Sequence, residues 1–179
     1  ALGGTANGTV NIGNLVASHT GFTTYEKTGS STWTLSGAGS QNWSIREGTL
    51  SGNSSSMAGD LTFDTGAGTR GVVFVQGTGG IYSRTISGDG NFTLAGAAGG
   101  GLTLTRAQSY TGTTTINAGT LRMGVANALT ASAGIQLTAG SWDLNGYDQT
   151  VKGLSGNPGT DVALGSATLT IDNAGNMGY

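Results

Sequence analysis

The sequence predicts an all-β fold built by repetition, a β-solenoid, and three observations carry that prediction. Apolar residues come in short i, i+2 pairs; clusters of Gly, Asn and Ser separate the pairs; and charged residues make up only 9% of the 179-residue chain. Alternation at a period of two is that of a half-buried strand. Gly- and Asn-rich turns between such strands supply sharp bends, and a soluble globular domain would carry about 25% charged residues. With 35 Gly, 28 Thr and a single Pro, the chain favours strands and turns and offers little to a helix. A helical bundle and a doubly wound α/β arrangement are both disfavoured on that ground.

The pairs run the length of the chain: Val10/Ile12, Trp33/Leu35, Trp43/Ile45, Leu61/Phe63, Phe92/Leu94, Leu102/Leu104, Ile135/Leu137, Trp142/Leu144 and Leu169/Ile171. Between the members of each pair stands a polar residue, most often Thr, facing the other way. Two longer segments resemble each other, which is the mark of a repeat. Trp33-Thr34-Leu35 leads to Ile45-Arg46-Glu47-Gly48-Thr49-Leu50, and Leu102-Thr103-Leu104 leads to Ile116-Asn117-Ala118-Gly119-Thr120-Leu121, with two more residues between Leu and Ile. A difference of that size suits an outer loop. Coils of about 20 to 25 residues give seven or eight turns. Val125 to Ala131 is helix-permissive but short, and is expected to form a helical turn in a loop.

Leu, Ile, Val and Phe total 34 residues and the net charge is only −2, so a long thin core is favoured over disorder. Seven basic residues against nine acidic, with no basic run, lack the electrostatic footprint of nucleic-acid or anionic-lipid binding. Cys is absent, which excludes disulfides and thiolate metal sites. No stretch approaches the roughly 20 apolar residues of a membrane span, and Ala1-Leu2-Gly3-Gly4 does not begin a signal peptide. Composition is uniform from residue 1 to residue 179, so a single solenoid segment is expected. Because Asn173 to Tyr179 stop in mid-pattern, it is expected to be a piece of a longer chain.

The run Tyr110-Thr111-Gly112-Thr113-Thr114-Thr115-Ile116-Asn117-Ala118-Gly119-Thr120-Leu121 resembles the passenger-associated transport repeat, also called the autotransporter-associated β-strand repeat, whose pattern is roughly Y-T-G-x-T-x-I-x-x-G-T-L. Ala139-Gly140-Ser141-Trp142-Asp143-Leu144-Asn145-Gly146, Gln149-Thr150-Val151 and Leu154-Ser155-Gly156 resemble its continuation. The match is clearest over residues 102–171 and looser from Trp33 to Leu50; Trp142 stands where Leu is usual, and Lys152-Gly153 replaces a small pair. The resemblance implies a right-handed parallel β-helix at the surface of a Gram-negative bacterium or secreted from it, exported through the outer membrane by a β-barrel that this chain lacks. It implies no catalytic, cofactor-binding or metal residue, because the repeat carries none.

Residues that could carry chemistry each have a plainer explanation. Gly66-Ala67-Gly68-Thr69-Arg70-Gly71 fits the dinucleotide fingerprint G-x-G-x-x-G, but Val72-Val73-Phe74-Val75 continues as a strand where a helix is required. His19 is the only histidine, too little for a zinc site or a triad. Asp143, Asp148 and Lys152, or Asp60 with Asp64, are the nearest approach to the paired carboxylates of a polysaccharide lyase or hydrolase. They read instead as solvated or turn-forming side chains. Gly88-Asp89-Gly90-Asn91 is one isolated hint of a calcium loop, without the tandem copies that make a column. Trp33, Trp43 and Trp142 each have an apolar i+2 partner and are expected inside; Tyr25, Tyr82, Tyr110 and Tyr147 sit beside turns and are expected outside.

The reading is therefore a non-enzymatic stalk or self-associating adhesin segment with no catalytic residue, cofactor or metal. Its expected partner is another copy or a host or cell-surface ligand, with no nucleic acid and no direct membrane insertion. An extracellular filament assembling end to end is the first alternative, since a solenoid exposes unpaired edges at its ends. A β-helical polysaccharide lyase or hydrolase is the second.

Overall fold

The computed structural model describes residues 1–18, 21, 24–66 and 68–172. Twenty strands, β1 to β20 in chain order, form within them, and they pair in parallel throughout. The widest sheet holds β1 (Gly8–Asn11), β3 (Thr32–Ser36), β5 (Gly48–Gly52), β7 (Arg70–Phe74), β10 (Asn91–Ala95), β13 (Thr113–Ala118), β15 (Gly134–Leu137) and β18 (Leu154–Gly156), side by side in that order. A second sheet stacks β8 (Gly79–Tyr82), β11 (Gly101–Leu104), β14 (Thr120–Met123), β16 (Ser141–Asp143) and β19 (Asp161–Ala163). A third stacks β2 (Tyr25–Lys27), β4 (Trp43–Ile45), β6 (Leu61–Phe63), β9 (Ile86–Gly88) and β12 (Ser109–Tyr110), while β17 (Gln149–Val151) pairs with β20 (Leu169–Ile171). The chain thus winds as a parallel β-solenoid of about seven turns, as the period-two pattern predicts.

The register shows how one coil lies on the next. On the eight-stranded sheet the aligned inward residues are Gly8, Trp33, Leu50, Val72, Phe92, Thr114, Ile135 and Leu154. These steps advance 25, 17, 22, 20, 22, 21 and 19 residues along the chain, a wider range than expected. The variation is shared between the corner before the eight-stranded sheet, where six residues separate β6 from β7 but only two separate β4 from β5, and the second sheet's side of the coil. Coil 1 puts a short helix there, α1 (Ile12–Ser18), and the next two coils run through irregular segments 37–42 and 53–60. Only the eight-stranded sheet passes through every coil.

Inside, columns of apolar side chains fill the coil. Leu50, Val72, Phe92, Leu102, Leu121 and Trp142 are each fully buried, and burial of such a side chain contributes about 1.5–3 kcal/mol. The rings of Phe74, Phe92 and Tyr110 follow one another at centroid distances of 5.7 and 5.9 Å, with Tyr82 edge-on to Phe74 at 5.1 Å. Trp43 and Trp142 are inside, as their i+2 partners predict; Trp33 is only partly buried, its ring against Gly8 in the first coil.

Four expectations need correction. Val10 and Ile12 do not share a strand: Asn11 accepts a hydrogen bond from the Asn14 N–H (3.2 Å), an N-cap geometry that starts α1 at Ile12. Val125 to Ala131 forms turns, not a helical turn, and Ala128 and Leu129 are buried in the core. Tyr82 and Tyr110 are buried, because the corners of a coil turn these side chains inward, where their hydroxyls find partners. Finally, the two similar segments are one sheet out of phase: Trp33-Thr34-Leu35 lies on the eight-stranded sheet and Leu102-Thr103-Leu104 on the second. The shared Gly-Thr-Leu is a corner device used at more than one corner, since Gly48 and Gly119 both take a left-handed φ, 73° and 77°.

Candidate functional site

The outer surface is built from polar side chains that bind one coil to the next. Asn and Asp carry out the commonest version, accepting a backbone N–H from the following coil. Asn7 takes Thr32 (2.8 Å), Asn42 takes Asp60 (2.8 Å), Asn91 takes Thr113 (2.9 Å) and Asn127 takes Thr150 (3.0 Å). Each satisfies a donor at a corner where the ladder is interrupted. Gln108 and Gln149 do more from a buried position. The Gln108 amide accepts from Ile86 N (2.7 Å) and donates to the carbonyls of Arg84 (3.2 Å) and Arg106 (2.7 Å). Gln149 repeats this with Ala128 N, Val125 O and Tyr147 O.

Two buried polar clusters complete the framework. Lys27 is fully buried and its ammonium donates to the carbonyls of Thr28, Gly29 and Glu47 at 2.8, 2.6 and 3.0 Å; burial lowers its pKa and Glu47 opposes that shift. Tyr110, Thr114 and Ser132 form a hydroxyl chain, 2.5 Å and then 3.0 Å, which ends on the Gly112 carbonyl. Desolvation pushes the Tyr110 phenol well above its usual range, so the chain is a neutral structural link. Sequence reading missed these residues, although Gln two positions ahead of Tyr110 and of Val151 was a legible signal.

The candidate carboxylates are not brought together. Asp143 pairs with Arg122 (2.8 Å) across neighbouring strands, Asp148 accepts from Thr168 N (2.7 Å), and Lys152 donates to Ala131 O (3.2 Å). Asp60 and Asp64 flank the three residues of β6 at opposite ends. Asp60 accepts from Thr85 N and Oγ1, both 2.9 Å, and Asp64 holds Ser44 and Arg46. An apolar hollow of about 200 Å³ beside Leu15, Tyr25 and Trp43 carries one carboxylate, Glu26, where acid–base glycoside chemistry needs two. Among the described residues no three His, Cys, Asp or Glu side chains gather as metal ligands, at Asp89 or elsewhere. His19 lies outside the described residues, as does Ala67 of the Gly-rich stretch, which leads into strand β7. No helix among the described residues is long and apolar enough to cross a membrane.

The Asp60 bonds carry a pH dependence. The Thr85 N–H holds the carboxyl below its ordinary range; desolvation opposes this, and the Thr85 hydroxyl, Arg84 and Arg106 reinforce it. A depressed folded value means that the stabilisation is complete above the unfolded value of about 3.9 and is lost as the pH falls through the folded one. Asp60→Asn keeps an acceptor and removes the titration. Its melting temperature is expected to fall less than the wild type's between about pH 5 and about pH 2; parallel curves would refute the assignment.

A charge-poor parallel solenoid, stapled by Asn, Gln and Thr from coil to coil, fits a passenger of the autotransporter class. The chain is 36% identical over 139 residues to the protein named "Adhesin BmaC autotransporter" of Brucella suis biovar 1 (strain 1330), an alignment covering 75% of this chain and 4% of that protein. No protein-family profile matches the chain, and no solved structure does. The chain is a segment of an autotransporter passenger, a surface protein that Gram-negative bacteria export through the outer membrane. It spans about one twenty-fifth of its relative's length.

Proposed function

We propose that this segment is a non-catalytic, rigid spacer of an adhesive passenger, and that its eight-stranded face meets the same face of another copy. One observation carries the reading: of all the residues in those eight strands, Arg70 alone is charged. Its guanidinium turns to the corner, bonding Gly66 O and Asp89, and is only 10% exposed. The central column of that face reads Thr9, Thr34, Ser51, Val73, Thr93, Thr115, Gln136 and Ser155, of which Ser51 is buried. Such a face meets its own copy in any register without like-charge repulsion, whereas the other two faces carry Glu26, Arg46, Arg122 and Asp143. The relative's name as an adhesin supports the adhesive role.

The area sets the strength. Eight strands about 4.8 Å apart and three to six residues long offer roughly 500–600 Å² per copy, at the weak end of specific interfaces. One pair would be transient; many on facing surfaces would hold by avidity. Beads coated with the protein should clump, and beads coated with Thr34→Lys/Thr115→Lys should stay dispersed, while scattering shows the same elongated particle for both. Clumping that ignores the added charges would refute the face, and dispersal of wild-type beads would refute self-association.

A further inference from the structure

We propose that the ridge between the second and third sheets is a binding site for a uronic-acid polysaccharide, formed by Arg84, Arg106 and Tyr147. This goes beyond the spacer role and uses a different surface.

The ridge is defined by the two buried glutamines. Gln108 grips the carbonyls of Arg84 and Arg106, and Gln149 those of Val125 and Tyr147. The register agrees, because Tyr82, Leu104 and Met123 are aligned, and Arg84, Arg106 and Val125 each follow one of them by two residues. The register therefore aligns Arg84, Arg106 and Val125 in one column, and Gln149, bonded to the carbonyls of both Val125 and Tyr147, places Tyr147 beside that column on the next coil, one residue out of step. Successive members are about one strand spacing apart, about 4.8 Å, close to the length of a single sugar unit in an extended chain.

What these positions present is unusual for this protein. Lys27 is buried against carbonyls; Arg46, Arg70 and Arg122 are in ion pairs; Lys152 donates to a carbonyl. Arg84 and Arg106 are exposed and make no ion pair among the described residues. They are stacked one coil apart, where their like charges gain nothing from each other. Asp60, whose carboxylate bonds Thr85 and also feels the charges of Arg84 and Arg106, bounds the patch at one end; Asp148, bonded to Thr168 N, bounds it at the other. Tyr147 is 41% exposed, the most exposed aromatic ring described. A guanidinium is a planar fork that matches a carboxylate, and a phenol ring offers an apolar face to a sugar. Two carboxylate-binding forks one coil apart, with an aromatic platform two coils beyond the second, suit a chain bearing a carboxylate on successive or alternate units.

The backbone carbonyls, not the side chains, are held by the glutamines, so Arg84→Ala/Arg106→Ala and Tyr147→Ala leave the framework intact; unchanged circular dichroism and melting verify this. Binding is read on immobilised polygalacturonate in low salt, with neutral dextran and dextran sulfate as the other arms. Retention on polygalacturonate is expected, with affinity falling about tenfold or more in the double variant and severalfold in Tyr147→Ala. Arg84→Lys/Arg106→Lys should recover only part of the loss, because the charge returns without the fork. Absence of retention, equal retention on dextran, retention on dextran sulfate alone, or indifference to both variants would each overturn the proposal.

Discussion

Trp142→Ala is expected to destabilise the protein by about 3–5 kcal/mol, measured by urea or thermal unfolding. Trp142 has no exposed surface and lies in register between Leu121 and Val162. Its removal empties the space of the largest fully buried side chain, in a core that is only one coil across, with no second layer to collapse into it. The indole N–H has no hydrogen-bond partner, so the loss is one of packing and cavity, and Trp142→Phe should cost much less. In a solenoid each coil depends chiefly on its neighbours. Hydrogen exchange should therefore show protection lost first around β15 to β19, with β5 to β10 retained. A cost below about 1 kcal/mol would mean that the column does not hold the coils together.

Gly119→Val is expected to cost about 3 kcal/mol or more. Gly119 sits at φ 77°, where an L residue is penalised by about 1–2 kcal/mol, and a Cβ there would lie 2.5 Å from the Gly100 carbonyl oxygen. That oxygen accepts the Thr120 N–H at 2.9 Å, so relief of the clash breaks a bond between coils. Gly99 is the internal control. It too is left-handed, at φ 87°, but has nothing within 4 Å of its Cβ position, and Gly99→Ala should cost only the conformational penalty. Equal costs at the two positions would show that the close approach is unimportant.

The two sites differ in how legible they are. Leu144 two positions on places Trp142 inside, and Gly119 belongs to a recognisable Gly-Thr-Leu. The binding ridge was not legible, because Arg84, Arg106 and Tyr147 are 22 and 41 residues apart in the chain and only coil stacking aligns them. The same holds for Tyr82 and Tyr110: the turns beside them predict exposure, and coil stacking buries them with partners for their hydroxyls.

The alternation of apolar and polar residues by itself determined that this chain forms half-buried strands, and Gly and Asn determined where those strands stop, because both effects act within a few bonds. What only the tertiary structure decided is which sheet each strand joins. Strands on all sides of a coil show the same period of two, so Trp33-Thr34-Leu35 and Leu102-Thr103-Leu104 look equivalent and yet lie on different sheets. Phase around the coil accumulates from corner geometry over steps of 17 to 25 residues, and no local signal records that sum.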